Sequence, residues 1–291
     1  GTLGVTGVLT ATSLDISGDI DVDGTTNLDA VDIDGAVNMA TTLLVTGNVD
    51  FNGDLDVDGT ANLDIVDVDG AANFAANVTF SDGADIITAS AGSQNLRLGE
   101  NAGDSITSGG NFNVFAGYNA GTANTIGDEN VAIGHAALAT NVAGSKSTAI
   151  GQGALNVQNK ASNAAGDQLN TAVGYHAGVA VTTGIKNTFI GGLSGDATTT
   201  AEENTAVGYE SMTTNTTGGD NSASGAYSLR MNTTGSNNAA MGYSALEQNT
   251  TGGSNTAVGY KALEANTTAS SNTAVGYQAG YANTTGTPTT A

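Results

Sequence analysis

The chain contains no cysteine and no tryptophan, and it has a single proline among 291 residues. Without cysteine, disulfide bonds and thiolate metal sites are excluded, and the redox state of the compartment places no constraint on the protein. Aromatic residues make up only 5% of the chain, whereas glycine occurs 42 times. A globular core filled with large side chains is therefore not expected.

Basic residues are also scarce. Six lysines and arginines stand against 28 aspartates and glutamates, which gives a formal net charge of −22. A charge of this sign repels nucleic-acid phosphates and anionic lipid headgroups. The sequence also lacks a run of about 18 apolar residues, which a membrane-spanning helix would need. We expect neither nucleic-acid binding nor membrane insertion.

The charge divides the chain into two parts. Residues 1–92 contain 16 aspartates and no lysine, arginine or glutamate, whereas residues 93–291 contain 12 acidic and 6 basic residues. We therefore predict two domains, an aspartate-rich one over 1–92 and a second one over 93–291.

The second domain is a repeat marked by glycine. Eleven glycines follow one another at spacings of 18, 17, 17 and 23 residues and then six spacings of 17. These marker glycines are Gly99, Gly117, Gly134, Gly151, Gly174, Gly191, Gly208, Gly225, Gly242, Gly259 and Gly276. A short fixed period without helical spacing is typical of stacked coils, so we predict an all-β, fibrous parallel β-solenoid of the β-roll or β-helix type. The spacing of 23 indicates a six-residue insertion within 154–169, which we expect to be a surface loop.

The repeat length predicts the contents of one coil. Seventeen extended residues trace roughly 56 Å, enough for two short strands and two turns, and eleven coils stacked at about 4.8 Å would span roughly 53 Å. We interpret the mostly aliphatic residue before the glycine as pointing inward, together with the alanine or serine three residues after it. Two such positions bury little, so we expect the coils to rely on stacking and on association with other chains.

Asparagine occurs four residues before the marker glycine in ten of the eleven repeats, and Ser147 is the exception. Equivalent residues lie above one another in a stack, and stacked asparagines form hydrogen-bonded amide ladders. We predict a structural ladder of Asn95, Asn113, Asn130, Asn170, Asn187, Asn204, Asn221, Asn238, Asn255 and Asn272.

Tyrosine follows the marker glycine in six repeats, at Tyr118, Tyr175, Tyr209, Tyr243, Tyr260 and Tyr277. Stacked coils would align these rings in a stripe. Such a stripe either binds the faces of sugar rings at the surface, or covers neighbouring backbone and seals an interface between chains. Asn-Thr-Thr-Gly occurs at 215–218, 232–235 and 249–252, where it matches both a glycosylation acceptor and a turn. Its place in the repeat favours the turn.

The aspartate-rich domain has a repeat of its own. Residues 18–41 and 53–76 align at an offset of 35, with 17 of 24 positions identical. Aspartate alternates with aliphatic residues, which predicts short strands with one acidic face. Two segments match the opening of a calcium-binding loop, with aspartates at Asp19, Asp21 and Asp23 and at Asp54, Asp56 and Asp58. The glutamate expected at the twelfth loop position is replaced by Ala30 and Ile65. Calcium sites and merely solvated aspartates both remain open, and we expect no other cofactor.

Residues suited to catalysis are few. His135 and His176 occupy variable positions near the glycines, and the acidic pairs at 128–129 and 202–203 are neighbours in sequence rather than groups facing each other across a bond. No nucleophile motif accompanies the serines. We therefore expect a non-enzymatic protein.

The motif Asn255-Thr256-Ala257-Val258-Gly259-Tyr260, followed after a short spacer by Asn-Thr-Thr, resembles the repeats of bacteriophage tail fibres and related virion appendage proteins. The resemblance covers roughly 95–286. It extends more loosely to the head repeats of trimeric autotransporter adhesins, and residues 1–92 resemble the Val-x-Gly shaft repeats of phage fibres.

The resemblance implies an intertwined homotrimeric fibre, on the virion or an extracellular surface, that contacts other virion proteins and a host cell-surface glycan or protein. Three alternatives stay open. They are a bacterial trimeric adhesin passenger segment, a fibre enzyme that cleaves polysaccharide with carboxylates at a chain interface, and an ice-binding face made from threonine rows.

Overall fold

The computed structural model describes residues 91–159, 166–286 and 290–291, together with isolated positions 6–8, 10, 44–45, 49, 57 and 72. The chain divides into two compact units, Gly1–Asn77 and Val78–Ala291. The strands of the described residues all lie in the second unit, and the described residues contain no helix. The predicted all-β class is confirmed for this part of the chain.

Eleven strands of three residues form one parallel sheet. They are β1 (Leu96–Leu98), β2 (Val114–Ala116), β3 (Val131–Ile133), β5 (Thr148–Ile150), β7 (Thr171–Val173), β8 (Thr188–Ile190), β9 (Thr205–Val207), β10 (Ser222–Ser224), β11 (Ala239–Met241), β12 (Thr256–Val258) and β13 (Thr273–Val275). Two further strands, β4 (Gly144–Ser145) and β6 (Gly166–Asp167), pair with each other.

Each strand of the large sheet pairs with the strand of the following coil, and equivalent repeat positions lie opposite each other. Ala240 pairs with Ala257 and Met241 with Val258, for example. The chain thus advances by one coil from each strand to the next. This confirms the predicted parallel β-solenoid. We number positions within a coil from its marker glycine, which is position 0, and count coils 1 to 11 from Gly99 to Gly276.

A regular coil contains one three-residue strand, so the prediction of two strands per coil is wrong. After the marker glycine the backbone turns repeatedly into the left-handed region, with φ of 57° at Lys261 and 50° at Leu263, positions +2 and +4. An extended strand cannot contain such residues. Hydrogen bonds between coils nevertheless continue through the turns, as when the Leu263 N–H donates to the Ala279 carbonyl at 3.0 Å.

The marker glycines stack directly on one another. A Cβ added to Gly225 would lie 2.5 Å from the carbonyl oxygen of Gly242, and the φ of Gly225 is +133°. Both the close approach of the backbones and the dihedral angle exclude other residues. The marker glycines therefore lie where the backbones of successive coils come closest, which explains why glycine recurs with the period of the coil.

The interior is lined by positions −4, −2, +3, +4 and +7. The middle strand residue, position −2, is buried in coils 2 to 11, usually as alanine, and leucine at +4 is buried beside it, as at Leu229 and Leu246. Position −1 points the other way: Ile133 is 40% exposed and Met241 is 58% exposed. The interpretation that the aliphatic residue before the glycine points inward is therefore wrong.

Large and small side chains compensate inside the coils. Where position −2 is phenylalanine, at Phe115 and Phe189, position +4 of the same coil is glycine, at Gly121 and Gly195. A Cβ on Gly195 would lie 2.3 Å from the Phe189 ring. Leu229, Leu246 and both phenylalanines are fully buried within one chain. One chain therefore closes its own interior, and the expectation that the inward residues need other chains is wrong.

Candidate functional site

The asparagines at position −4 form a continuous hydrogen-bonded column. The Asn255 N–H donates to the Asn238 Oδ1 at 3.0 Å, and the Asn255 Nδ2 donates to the same oxygen at 3.1 Å. The Nδ2 group also donates to the Ala269 carbonyl at 2.9 Å, within the turn that follows. The same pattern of bonds recurs from coil to coil, and all ten asparagines are buried.

The column continues through its one exception. In coil 4 the serine hydroxyl of Ser147 accepts a hydrogen bond from Gln158 Nε2 at 3.0 Å, and the Gln158 Oε1 accepts one from Asn170 Nδ2 at 2.8 Å. The Ser147 N–H still donates to Asn130 Oδ1 at 3.0 Å. The longer glutamine side chain therefore replaces the amide that serine lacks.

Sequence reasoning missed a second column at position +7. Asn215, Asn232, Asn249 and Asn266 are fully buried. In the last three, the Nδ2 group donates to the Oδ1 of the asparagine one coil earlier, at 2.8–2.9 Å. These asparagines open the Asn-Thr-Thr motifs. The recurrence of asparagine at one repeat position was the signal in the sequence that could have revealed this column. It was interpreted only as a turn. Because their amide nitrogens are buried and already bonded, these motifs cannot accept a glycan in the folded chain.

The tyrosines at position +1 lie on the surface, and five coils bring rings into one row. Tyr243, Tyr260 and Tyr277 stack with centroids 5.5 and 5.3 Å apart and planes within 10° of parallel. Tyr209 joins the row through Tyr227, which lies at +2 and contacts its neighbours edge-on. At these separations near-parallel rings are offset-stacked. Their faces therefore cover each other, and the edges and hydroxyl groups face solvent.

The remaining two tyrosines of the predicted stripe stand apart from this row. Tyr118 packs against His135 with ring centroids 5.5 Å apart, and Tyr175 stacks on His176 at 4.0 Å. Between them and Tyr209, position +1 is Gln152 in coil 4 and Gly192 in coil 6. The stripe is thus a row of five rings plus two tyrosine–histidine pairs.

Within the described residues most ion pairs are separate pairs, and Arg230 contacts two glutamates, Glu210 and Glu247. A hydrogen bond and the opposite charge of Glu203, 2.7 Å away, raise the pKa of Lys186, and the same contact lowers the pKa of Glu203. Burial raises the pKa of Asp196, while a hydrogen bond from Thr213 acts in the opposite direction. Exposed ion pairs of this kind add little to stability.

The six aspartates of the candidate calcium sites, between 19 and 58, lie outside the described residues. Within residues 91–159 and 166–286, no three His, Asp or Glu side chains come together as a metal site would require. The same part of the chain contains no helix long and apolar enough to cross a membrane.

The aliphatic residues displaced from the interior form the outer face of the sheet. The first and third residues of the eleven strands point outward, and none of them is charged. Ile190 and Val207 are 40% and 37% exposed. In a chain of net charge −22, an uncharged strip that runs the length of the sheet is a candidate contact surface.

Comparison with known proteins assigns no family to this chain: no family model matches it, and no curated protein or solved structure is significantly similar.

Proposed function

We propose that the chain is a structural and adhesive fibre segment, a phage tail fibre or comparable virion appendage that extends from the virion and contacts the host surface. The observation that supports this most is the single parallel stack of eleven strands. In such a solenoid each coil contacts only its neighbours, so length grows with the number of coils and the cross-section stays constant. This geometry suits a spacer. The resemblance of the repeat to tail-fibre repeats supplies the virion setting.

Self-association of the chain uses the outer face of the sheet in this proposal. Eleven strands at about 4.8 Å and three residues at about 3.3 Å each define a strip of roughly 500 Å². The neighbouring tyrosine row widens it towards the roughly 800 Å² per partner of a standard interface. Removing aliphatic side chains such as Ile190 and Val207 from water favours association, and no charge opposes it. The number three comes from the resemblance.

Sedimentation velocity of the purified chain tests this proposal. We expect an elongated species with three times the 28.5 kDa mass of one chain. The double variant Ile190→Lys/Val207→Lys introduces two charges into the strip and should sediment as the single chain. Gln248→Lys, on an exposed residue of a turn, is the matched control and should leave the assembly intact. A compact monomer for the unmodified chain would refute the proposal.

A further inference from the structure

Coil 4 interrupts the surface pattern and leaves a notch. Position +1 is Gln152 instead of tyrosine, and position +2 is Gly153. A cavity of about 290 Å³ lies there, lined among others by Gln152, Gly153, Asn156 and both histidines, His135 and His176. The chain has only two histidines. They are 41 residues apart in sequence, and the solenoid places both on the same small cavity.

The presence of glycine at position 153 is explained by the space that a neighbouring side chain needs, rather than by the conformation of the backbone. Its φ of +66° is the left-handed conformation that position +2 also adopts in the other ten coils, where the residue is never glycine. A Cβ on Gly153 would instead lie 2.5 Å from the Cδ2 atom of His176. The absent side chain therefore lets the His176 ring lie across coil 4 and form one wall of the notch.

The notch has aromatic walls and unused hydrogen-bonding groups. The His135 ring is backed by Tyr118 and the His176 ring by Tyr175. Asn156 Nδ2 donates to the Ala136 carbonyl at 2.9 Å, which leaves its Oδ1 as an acceptor. Within the described part of the chain, neither imidazole nor the Gln152 amide makes a side-chain hydrogen bond. Each imidazole supplies a donor and an acceptor, and so does the amide.

We propose that this notch binds one ring of a neutral saccharide. The lining carries neither lysine, arginine nor a carboxylate, and the net charge of −22 opposes an anionic ligand. Mixed donors and acceptors match hydroxyl groups, and aromatic rings match the C–H faces of a pyranose. The cavity volume lies at the lower end of the range for ligand sites, which admits a single ring. The choice of a saccharide rests on the proposed host-contact function.

Nuclear magnetic resonance of protein labelled only at the histidine rings tests the proposal, because two histidines give two sets of signals. The probes are the methyl glycosides of glucose, galactose, N-acetylglucosamine and N-acetylgalactosamine. Each is titrated to about 50 mM, which covers the millimolar affinity expected for one sugar ring. We expect at least one probe to shift the signals of both histidines with a common, saturating concentration dependence. The proposal is refuted if no probe does so, or if the signal of only one histidine responds.

Gln152→Tyr provides the decisive variant. Six other coils carry tyrosine at position +1, so the fold accepts the ring, which fills the notch. We expect at least tenfold weaker binding, with the thermal unfolding of the protein unchanged. Gln248→Tyr makes the same substitution at an exposed turn position away from the notch and should bind like the unmodified chain. Equal affinity of Gln152→Tyr and the unmodified chain would refute the proposal. The titration does not depend on chain number, so its failure is distinguishable from a failure of the fibre proposal in sedimentation.

Discussion

Removing one amide from the buried column at position −4 tests the main source of order in the solenoid. In Asn238→Ala, four hydrogen bonds disappear. Nδ2 no longer donates to Asn221 Oδ1 and to the Gly252 carbonyl, at 3.2 and 2.9 Å. Oδ1 no longer accepts from the N–H and Nδ2 of Asn255, at 3.0 and 3.1 Å.

The groups that lose a hydrogen bond to Asn238 are not equally affected. Gly252 keeps a hydrogen bond from Asn249, and Asn255 Nδ2 keeps the Ala269 carbonyl. The Asn255 N–H has no such substitute and is buried. An unsatisfied buried donor costs about 1–3 kcal/mol, and a hydrogen bond lost between groups that keep other partners costs about 1 kcal/mol or less. We expect the free energy of unfolding to fall by about 3 kcal/mol.

Urea unfolding at fixed protein concentration measures this change, and hydrogen exchange of the Asn255 amide locates it. A loss of about 3 kcal/mol corresponds to roughly hundredfold faster exchange where local opening dominates. Gln248→Ala removes an exposed amide from the same coil and should alter the free energy of unfolding by less than about 0.5 kcal/mol. If Asn238→Ala and Gln248→Ala unfold alike, the column contributes no stability and the reasoning is wrong.

Three further tests probe the repeat. Gly225→Ala places a Cβ 2.5 Å from the carbonyl oxygen of the next coil and should cost more than about 4 kcal/mol in urea unfolding; a stable variant would contradict the stacking. Gln158→Asn should lower the free energy of unfolding by about 2 kcal/mol because the shorter side chain cannot reach its partners, and adding Ser147→Asn should recover most of this loss. If the two substitutions destabilise the chain additively, Gln158 does not replace the missing asparagine amide. Phe189→Ala should lower the free energy of unfolding by about 3–5 kcal/mol, and adding Gly195→Leu, which introduces the leucine found at that position in other coils, should restore most of the loss. A double variant less stable than either single variant would contradict the compensation between positions −2 and +4.

The stacking of coils was predictable because a period constrains backbone geometry directly. A glycine lowers the stability of a regular backbone segment, so its recurrence at a period of 17 residues indicates that each position requires it. The backbone of the next coil lies within contact distance of the first ten marker glycines. The insertion in coil 4 was equally visible in the spacing of 23. The parallel register of the strands also follows from the repeat, because identical repeats form identical hydrogen bonds only when equivalent positions pair.

The phase of the strand was not predictable from hydrophobicity. Side chains alternate along a strand, so Asn238 facing inward at −4 forces Ala240 inward and Met241 outward. Hydrophobicity alone predicts that the larger aliphatic residue at −1 points into the interior, as burial statistics favour. Hydrophobicity likewise gives no indication that the asparagine at +7 shares the interior. Both errors have one physical origin: this interior is organised by amides, and a buried amide that is fully hydrogen-bonded can displace an aliphatic side chain to the surface.

That displacement links the fold to the proposed function. An interior of alanine, of leucine or methionine at +4 in six coils and glycine there in the other five, and of stacked asparagines fits a narrow cross-section. It repeats because most of its amides find equivalent partners in the next coil. The larger aliphatic residues, Ile190 and Val207 among them, then face outward along the whole sheet. An exposed strip of this kind costs free energy in water unless another surface covers it. A solenoid in which amides take part of the interior therefore leaves part of its aliphatic surface exposed and available for association, which is the property that the proposed multi-chain fibre requires.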